Sequence, residues 1–401
     1  MHILVINSGS SSIKFSVYLA EGVEPRSLFD GELSGIGAAK SRLKFEDAAG
    51  RDLTGGQSEK KAGSRVEAIA LVAEALSRAE LPPVRAVGHR VVHPGPKLKH
   101  HVRITDEVMH DLKTAAEFAP LHDPVAIEII EGMMQRYPEA AHYACFDTVF
   151  HETMPEEAST YALPERYRQS GVRRYGFHGL SCESIVRQMR MVGIRLPQRM
   201  VIAHLGSGCS VTALLAGRSI DTTMGLTPTG GVVMGTRPGD LDPGTVLFLS
   251  RKLKDDGGSG LERLLNFESG IAGLAGLPND MRAIREAASN GNESALLAVA
   301  VFTRSVRKAI GGYCWLMGGL DAVVFSGGIG EHDTKTRAEV LEGLEDLGVR
   351  LDSGLNSSEN LRKDERLRAI HASDSKSRVF IVPSREDLTI AAHVERMCRE
   401  S

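Results

Sequence analysis

The sequence predicts an α/β protein built from two similar domains. Short apolar runs of strand type alternate with longer stretches whose apolar positions recur at helical spacing. A strand, small-residue turn, strand unit stands near the N-terminus and again from Met200. Aligning Gly9-Ser10 with Gly206-Ser207 aligns the flanking strands, at an offset of 197 residues. A length of 401 residues suits two or three domains.

Taken in order, residues 3–6 form a short apolar strand. The polar turn Asn7-Ser8-Gly9-Ser10-Ser11-Ser12 follows, and Ile13 to Leu19 alternates apolar and polar as a second strand. Residues 64–79 have helical spacing, closed by Pro82-Pro83. Ala86 to Val92 is a strand running into His93-Pro94-Gly95. Residues 105–119 and 124–136 are helices, and Ala141 to Phe146 is a strand with Asp147 at its end. The pattern then restarts. Met200 to Ala203 is a strand, His204-Leu205-Gly206-Ser207-Gly208 its turn, and Cys209 to Leu215 the next strand. Ala216-Gly217-Arg218 is a hairpin turn before Ser219 to Thr222. Residues 293–317 are a long helix. Asp321 to Phe325 is a strand leading into a turn at 326–331. Val379 to Val382 is the last strand and Leu388 to Met397 the last helix.

Composition narrows the function. Lys plus Arg number 48 against 51 Asp plus Glu, so no basic excess exists to track a nucleic-acid backbone. An apolar share of 42% and a charged share of 25% fit a globular protein and exclude disorder for most of the chain. The five cysteines form no CxxC pair, so neither a disulfide framework nor a zinc site is indicated. Residues 1–7 lack a basic n-region and a long apolar core, and the longest apolar run, Ala295 to Phe302, is too short to span a bilayer. The expected location is the cytoplasm, with no membrane partner. Gly, at 42 residues, exceeds the usual share of about 7%.

Neither GxxxxGK[ST] nor a complete GxGxxG follows a strand. Three small-residue turns do, at 7–12, 204–208 and 326–331. Such turns expose backbone N–H groups suited to phosphate oxygens, and Lys14 adds a charge beside the first. One such turn alone is a plain hairpin. Three, two of them in duplicated positions, point to a nucleotide cleft.

Specific motifs run from end to end. They include Asn7-Ser8-Gly9-Ser10-Ser11-Ser12, His89-Arg90-Val91-Val92-His93, Ala119-Pro120-Leu121-His122 and Phe146-Asp147-Thr148. Further on stand Tyr175-Gly176-Phe177-His178-Gly179, His204-Leu205-Gly206, Met234-Gly235-Thr236-Arg237 and Gly327-Gly328-Ile329-Gly330-Glu331. On these motifs the chain resembles the acetokinase family, a branch of the actin-like sugar-kinase superfamily. The resemblance implies two actin-like (ribonuclease H-like) domains facing each other across the cleft. These are residues 1–148 with a returning C-terminal helix at 385–401, and residues 149–384. It also implies reversible transfer of the ATP γ-phosphoryl group to acetate, with Mg2+ (or Mn2+) and a homodimer.

The resemblance further implies roles for single residues. Arg90 binds the acetate carboxylate, for which a guanidinium fork is suited. Val92, Leu121, Phe177 and Pro228 form the methyl pocket. Asp147, His178 and Arg237 are the catalytic residues, the last two acting on the transferring phosphoryl group. Gly176 and Gly179 are expected to leave the His178 ring free to project. Asn7 and Glu386 hold magnesium, with Asp387 beside them. The nucleotide falls to Lys14, His204, Leu205, Gly206, Ser207, Gly208, Asp280, Met281, Arg282, Gly328, Ile329, Gly330, Glu331 and His332. Residue chemistry qualifies several of these. Asp280-Met281-Arg282 also reads as an ordinary helix start, Arg237 has Asp240 and Asp242 nearby, and Asp147 also suits a helix cap. A carboxylic acid with a pKa near ~4.3 is already ionised at neutral pH, so acetate needs no general base. In the family pattern Ser207 stands in place of Asn and Cys182 in place of His. A propionate or other short-chain acid kinase, and a non-kinase actin-like ATPase, are the alternatives. Arg90, His178 and Arg237 argue against the ATPase, which needs no carboxylate pocket.

Overall fold

The computed structural model describes residues 1–9, 12–38, 40–78, 83–121, 123–253, 258–358, 361–362 and 365–400. Ser10, Ser11, Pro82 and His122, used above, lie outside the described residues. The chain divides into two compact units, Met1–Val149 with Arg385–Ser401, and Phe150–Ser384.

The first unit is built on strands β1 (His2–Ser8), β2 (Ser12–Leu19), β3 (Arg26–Ser34), β4 (Ser41–Asp47), β5 (Glu59–Lys60), β6 (Val84–Val91), β7 (Val102–Arg103) and β8 (Ala141–Phe146). They form one sheet in the order β5-β4-β3-β2-β1-β6-β8-β7. β1 runs antiparallel to β2 and parallel to β6, which is parallel to β8. The central strands read as continuous apolar runs because both their faces are covered. Leu4, Ile6 and Val87 meet the helices Arg65–Arg78 and Asp123–Arg136 through Val72 and Ile129. The C-terminal helix Glu386–Glu400 packs on β1 and β6. Gly88 is required there: a Cβ would lie 2.7 Å from Ile390 Cγ2 and 2.8 Å from Val394 Cγ2.

The second unit contains β9 (Arg199–Leu205), β10 (Cys209–Leu215), β11 (Arg218–Thr222), β12 (Ala322–Ser326), β13 (Arg368–Ala369) and β14 (Arg378–Ile381), in the order β11-β10-β9-β12-β14-β13. Its first three strands are antiparallel, and β9, β12 and β14 are parallel. The order third-second-first-fourth-fifth thus recurs: β3-β2-β1-β6-β8 in one unit and β11-β10-β9-β12-β14 in the other. The duplicated turns are the outward sign of a duplicated sheet.

Three sequence expectations need correction. His204 and Leu205 are not turn residues but the last two of β9, because their backbones pair with Ser210 and Cys209. The turn is Gly206-Ser207-Gly208, closed by Gly206 N donating to Gly208 O at 3.0 Å. The segment after β12 is a short helix, Gly327–His332, rather than a turn. Gly327 enters it at φ 75°, where a Cβ would lie 2.7 Å from Leu205 O. The last helix starts at Glu386, which places Glu386 and Asp387 in its first turn.

Candidate active site

Strand register assembles the first constellation. Ile6 pairs with His89 and Arg90 with Cys145, so Asn7, Arg90 and Asp147 emerge at the carboxyl ends of three adjacent parallel strands. In open α/β sheets this edge is where ligands bind. Arg90 donates from Nε to Asp147 Oδ1 (3.0 Å) and from Nη2 to Asp147 Oδ2 (2.6 Å). Its Nη1 donates to Asn7 Oδ1 at 3.1 Å. The Asn7 amide donates to Asp387 Oδ1 (3.0 Å) and Glu386 Oε2 (3.3 Å), and Ser16 Oγ donates to Asp387 Oδ2 (3.3 Å). Burial works against the Arg90 charge, but the carboxylates of Asp147, Glu386 and Asp387 outweigh it and raise the guanidinium pKa. Asp147 is 1% exposed. Burial raises its pKa and the Arg90 fork opposes the rise. Burial also raises Asp387, against the Asn7 hydrogen bond. Val92 is buried and Leu121 half-buried in this unit. Lys14 is exposed on β2, in register with Asn7.

Asp147 therefore caps no helix. It is the bidentate partner of Arg90, and the fork expected to meet a substrate carboxylate already holds a protein one. A guanidinium has five N–H donors. Three are used on Asp147 and Asn7, which leaves one on each Nη for a further acceptor.

The second constellation lies in the other unit. His178 is in the left-handed conformation (φ 60°, ψ 25°) at the start of helix Gly179–Met191. Its ring is held rather than free to project. Nδ1 lies 3.0 Å from Ser210 Oγ, and the ring sits 4.2 Å from that of His204, whose Nδ1 is 2.8 Å from Ser181 Oγ. Gly176 serves packing instead, since a Cβ would meet His151 Cδ2 at 2.8 Å. Around Gly208, an added Cβ would lie 3.3 Å from His178 Nε2 and 3.8 Å from Arg237 Nη1, so the phosphate-type turn, His178 and Arg237 share one corner. Arg237 Nη1 donates to Pro228 O at 3.0 Å. Asp240 accepts instead from Gly231 N. Among the described residues Arg237 has no acidic partner, and burial lowers its pKa. Gly235 N donates to Ser207 O (3.0 Å), tying the Arg237 loop to the turn. Phe177 and Pro228 are buried in this unit.

A cavity of about 1030 Å³ opens beside that turn. Of the residues that the resemblance assigns to the nucleotide, Gly206, Ser207, Asp280, Met281, Arg282, Gly328, Ile329 and His332 line it. His204, Leu205, Gly208, Gly330 and Glu331 do not. Leu205 is core, and a Cβ on Gly330 would face Phe325 and Ala203 of the sheet. Glu331 Oε1 accepts from Gly327 N (2.9 Å) and Ser384 N (3.2 Å), a capping role. Gly328 faces open space.

A profile of the acetokinase family matches residues 2–392. The chain belongs to the acetokinase family. The acetate kinase of Halothermothrix orenii is 39% identical over 406 residues, covering 99% of each chain. The crystal structure of Porphyromonas gingivalis acetate kinase is similar with a TM-score of 0.86 at 33% identity, covering 99% of each chain. That of a propionate kinase from Francisella tularensis has a TM-score of 0.88 at 33% identity, covering 98% of this chain and 99% of that one. As an acetokinase-family member the protein is a kinase.

Five cavity-lining residues of this acetokinase-family chain escape the sequence reading: Asn279, Arg285, Asp333, Thr334 and Lys335. One was within reach. Arg285 follows Met281 by four positions on helix Met281–Ser289, hence on the same face. It bonds Asp333 Oδ2 (3.0 Å), Thr336 Oγ1 (2.7 Å) and Glu339 Oε1 (2.5 Å). Arg337, 1% exposed, donates to the carbonyls of Gly330 and Glu331 at 2.9 Å and fixes the short helix that borders the cavity. No local motif marks it, because its partners are backbone carbonyls and the Asn356 side chain, whose Oδ1 accepts from Nε at 2.7 Å from a distant part of the sequence.

Proposed function

We propose that the protein transfers the γ-phosphoryl group of ATP to acetate, reversibly, giving acetyl phosphate and ADP. The deciding feature is Arg237, a desolvated cation with no acidic partner among the described residues, set with His178 beside the Gly206-Ser207-Gly208 turn. Preorganised donors of this kind favour the charge on a migrating phosphoryl group. The cavity beside the turn takes the nucleoside, with Gly328 leaving room for it. An acetate oxygen attacks the γ-phosphorus, and the bond to the β–γ bridging oxygen breaks with its electron pair staying on ADP. No proton moves, because the acceptor is ionised at neutral pH. Asp147 acts by fixing Arg90, whose two remaining N–H groups receive the acceptor carboxylate beside Val92 and Leu121.

Glu386 and Asp387 offer the oxygen donors that magnesium prefers, held by the Asn7 amide. When bound, the metal offsets the negative charge of the phosphates; Mn2+ suits the same donors. In this arrangement Asn7 orients the two carboxylates, since its own oxygen is turned to Arg90. A cytoplasmic homodimer completes the proposal. Helix Pro243–Leu253 buries none of its residues and exposes Leu247, Phe248 and Leu253, which supports a second copy covering it. None of the described cysteines forms a disulfide. No helix among the described residues is long and apolar enough to cross a membrane.

Trapping acetyl phosphate as the hydroxamate tests the reading. Product should require ATP, Mg2+ and acetate together, and ATP hydrolysis without hydroxamate would overturn it. Propionate belongs in the same assay, because one methylene in an apolar pocket is worth only about 1–3 kcal/mol.

A further inference from the structure

Asp123 is the first residue of helix Asp123–Arg136 and is 1% exposed, yet no cation among the described residues pairs with it. Its Oδ1 accepts from His93 N at 3.2 Å, and the Val92 amide also faces the carboxyl. Its Oδ2 has no hydrogen-bond partner among the described residues. The two amides belong to the residues where β6 ends, immediately after Arg90. The rest of that turn is fixed as well. His93 Nδ1 accepts from Gly95 N (2.9 Å), its ring stacks on Phe118 at 5.2 Å, and a Cβ on Gly95 would lie 2.6 Å from Ala115 Cβ. Asp123 thus joins a helix start to the backbone on which Arg90 and Val92 are mounted.

We propose that Asp123 is a positioning residue of the acceptor half-site: its carboxyl locks the Val92–His93 backbone, and its charge sets how well that half-site takes an anion. The inference rests on the reading of Arg90 and Val92 as the acceptor side of a carboxylate kinase. Among the described residues, one ionisable side chain acts on the Asp123 carboxyl by its charge, that of Asp147. His93, in the turn after β6, meets it through its backbone N–H and not its ring. Asp147 faces it from the end of β8, and Arg90, on β6, is already committed to Asp147. Burial, with the Asp147 charge adding to it and the two amides opposing, pushes the Asp123 carboxyl up to about 8. Near neutrality it is therefore a neutral acid. Ionised, it would set a second, uncompensated negative charge beside a pocket built for an acetate ion.

The kinetic test compares wild type, Asp123→Asn and Asp123→Ala between pH 6.5 and 9 at saturating ATP. The amide is the isostere of the neutral acid. For wild type the acetate KM should rise roughly tenfold from pH 7 to 9, as a group titrating near pH 8 requires, with the ATP KM steady. Asp123→Asn should abolish the basic limb and recover most of the low-pH affinity. Asp123→Ala should raise the acetate KM at every pH. A basic limb unchanged in Asp123→Asn, or an acetate KM within twofold of wild type in Asp123→Ala, overturns the proposal. Hydrogen exchange at the His93 amide needs no turnover. It should be roughly tenfold or more faster in Asp123→Ala than in wild type, and equal rates overturn the locking role. Wild type that fails to phosphorylate acetate at pH 7 would instead strike at the kinase reading, leaving the exchange result to decide for Asp123.

Discussion

The two constellations handle charge in opposite ways. At the sheet edge of the first unit the buried charges around Asn7 are answered: Arg90 by Asp147 and Asn7, Glu386 and Asp387 by the Asn7 amide. In the second unit Arg237 is desolvated and, among the described residues, hydrogen-bonded to a neutral carbonyl and to no acid, and the glycine turn beside it presents backbone. The first arrangement is stable without a ligand and spends two leftover N–H groups on one. The second is under-compensated until an anion arrives. A phosphoryl group carries more charge than a carboxylate, so the unanswered cation belongs with the phosphoryl group and the balanced network with the small acceptor.

The sharpest way to break this contrast is Arg237→Ala. Its charge is used mainly in the transition state, so kcat should fall about 10²–10³-fold while both KM values stay within a few-fold. Stability should hold or rise, because no carboxylate loses a partner. Steady-state kinetics with a thermal melt measures both, and a near-normal kcat would remove Arg237 from the chemistry. Arg90→Ala should behave differently. It strands Asp147, 1% exposed, as an uncompensated buried charge, at a cost of about 3–5 kcal/mol. The acetate KM should rise and the ATP KM stay put. Adding Asp147→Asn should recover much of the stability and none of the acetate affinity. If the double variant melts no higher than Arg90→Ala, the ion pair is not what holds that edge.

Donor choice tests the second unit alone. Gly328 faces open space on the cavity wall, so Gly328→Gln should fill the nucleoside site and raise the ATP KM by roughly tenfold or more, as overpacking of about 1–3 kcal/mol implies. Acetate affinity should be untouched. Turnover with pyrophosphate that matches turnover with ATP in the wild type would overturn the assignment of the cavity to a nucleoside.

Acid stability extends the comparison to both units. His89 and His142 in the first, and His151 in the second, are held neutral by burial, His151 down to about 4. Above pH 6.5 these imidazoles are neutral folded and unfolded, so they contribute no slope. Below it the unfolded chain takes protons that the folded chain refuses. Stability therefore falls as pH drops below 6.5, for His151 down to about 4, by up to about 1.4 kcal/mol per pH unit for each histidine still neutral in the fold. Urea midpoints at pH 7.5, 6 and 5 check this, and a flat series would mean that the rings charge freely in the fold.

Much of this was legible in the residues. Apolar runs such as Ile3-Leu4-Val5-Ile6 and the exact span Ala141–Phe146 stand out because parallel central strands are buried on both faces. Strands β3 and β4 left a weaker mark: Arg42, Leu43, Lys44 and Phe45 alternate polar and apolar over only four residues, and the pairing of β4 with β3 is non-local. At the site, the sequence names residues but not the partners that the fold gives them. That Asp147 answers Arg90 depends on β6–β8 register, and that Gly330 faces the sheet rather than the cavity depends on a helix where a turn was expected. Asp123 carries no motif signal at all, because its distinction is burial.

The smallest expected effect concerns Ser207, the exposed residue of the turn. Its Oγ accepts from Asn279 Nδ2 at 3.0 Å, which links the turn to the residue before the Asp280-capped helix on the cavity wall. Its backbone carbonyl accepts from Gly235 N, and that bond survives any side-chain change. Ser207→Ala therefore removes one exposed side-chain hydrogen bond, worth about 0.5–1.5 kcal/mol net, and leaves the Arg237 loop tied in place. The ATP KM should rise by roughly two- to fivefold, with kcat and the acetate KM unchanged. Isothermal titration with ADP gives the same comparison without turnover. A fall in kcat would mean that the Oγ–Asn279 link, and not the backbone bond to Gly235, sets the position of Arg237. The second unit would then owe its preorganisation to a surface hydroxyl rather than to its loop backbone.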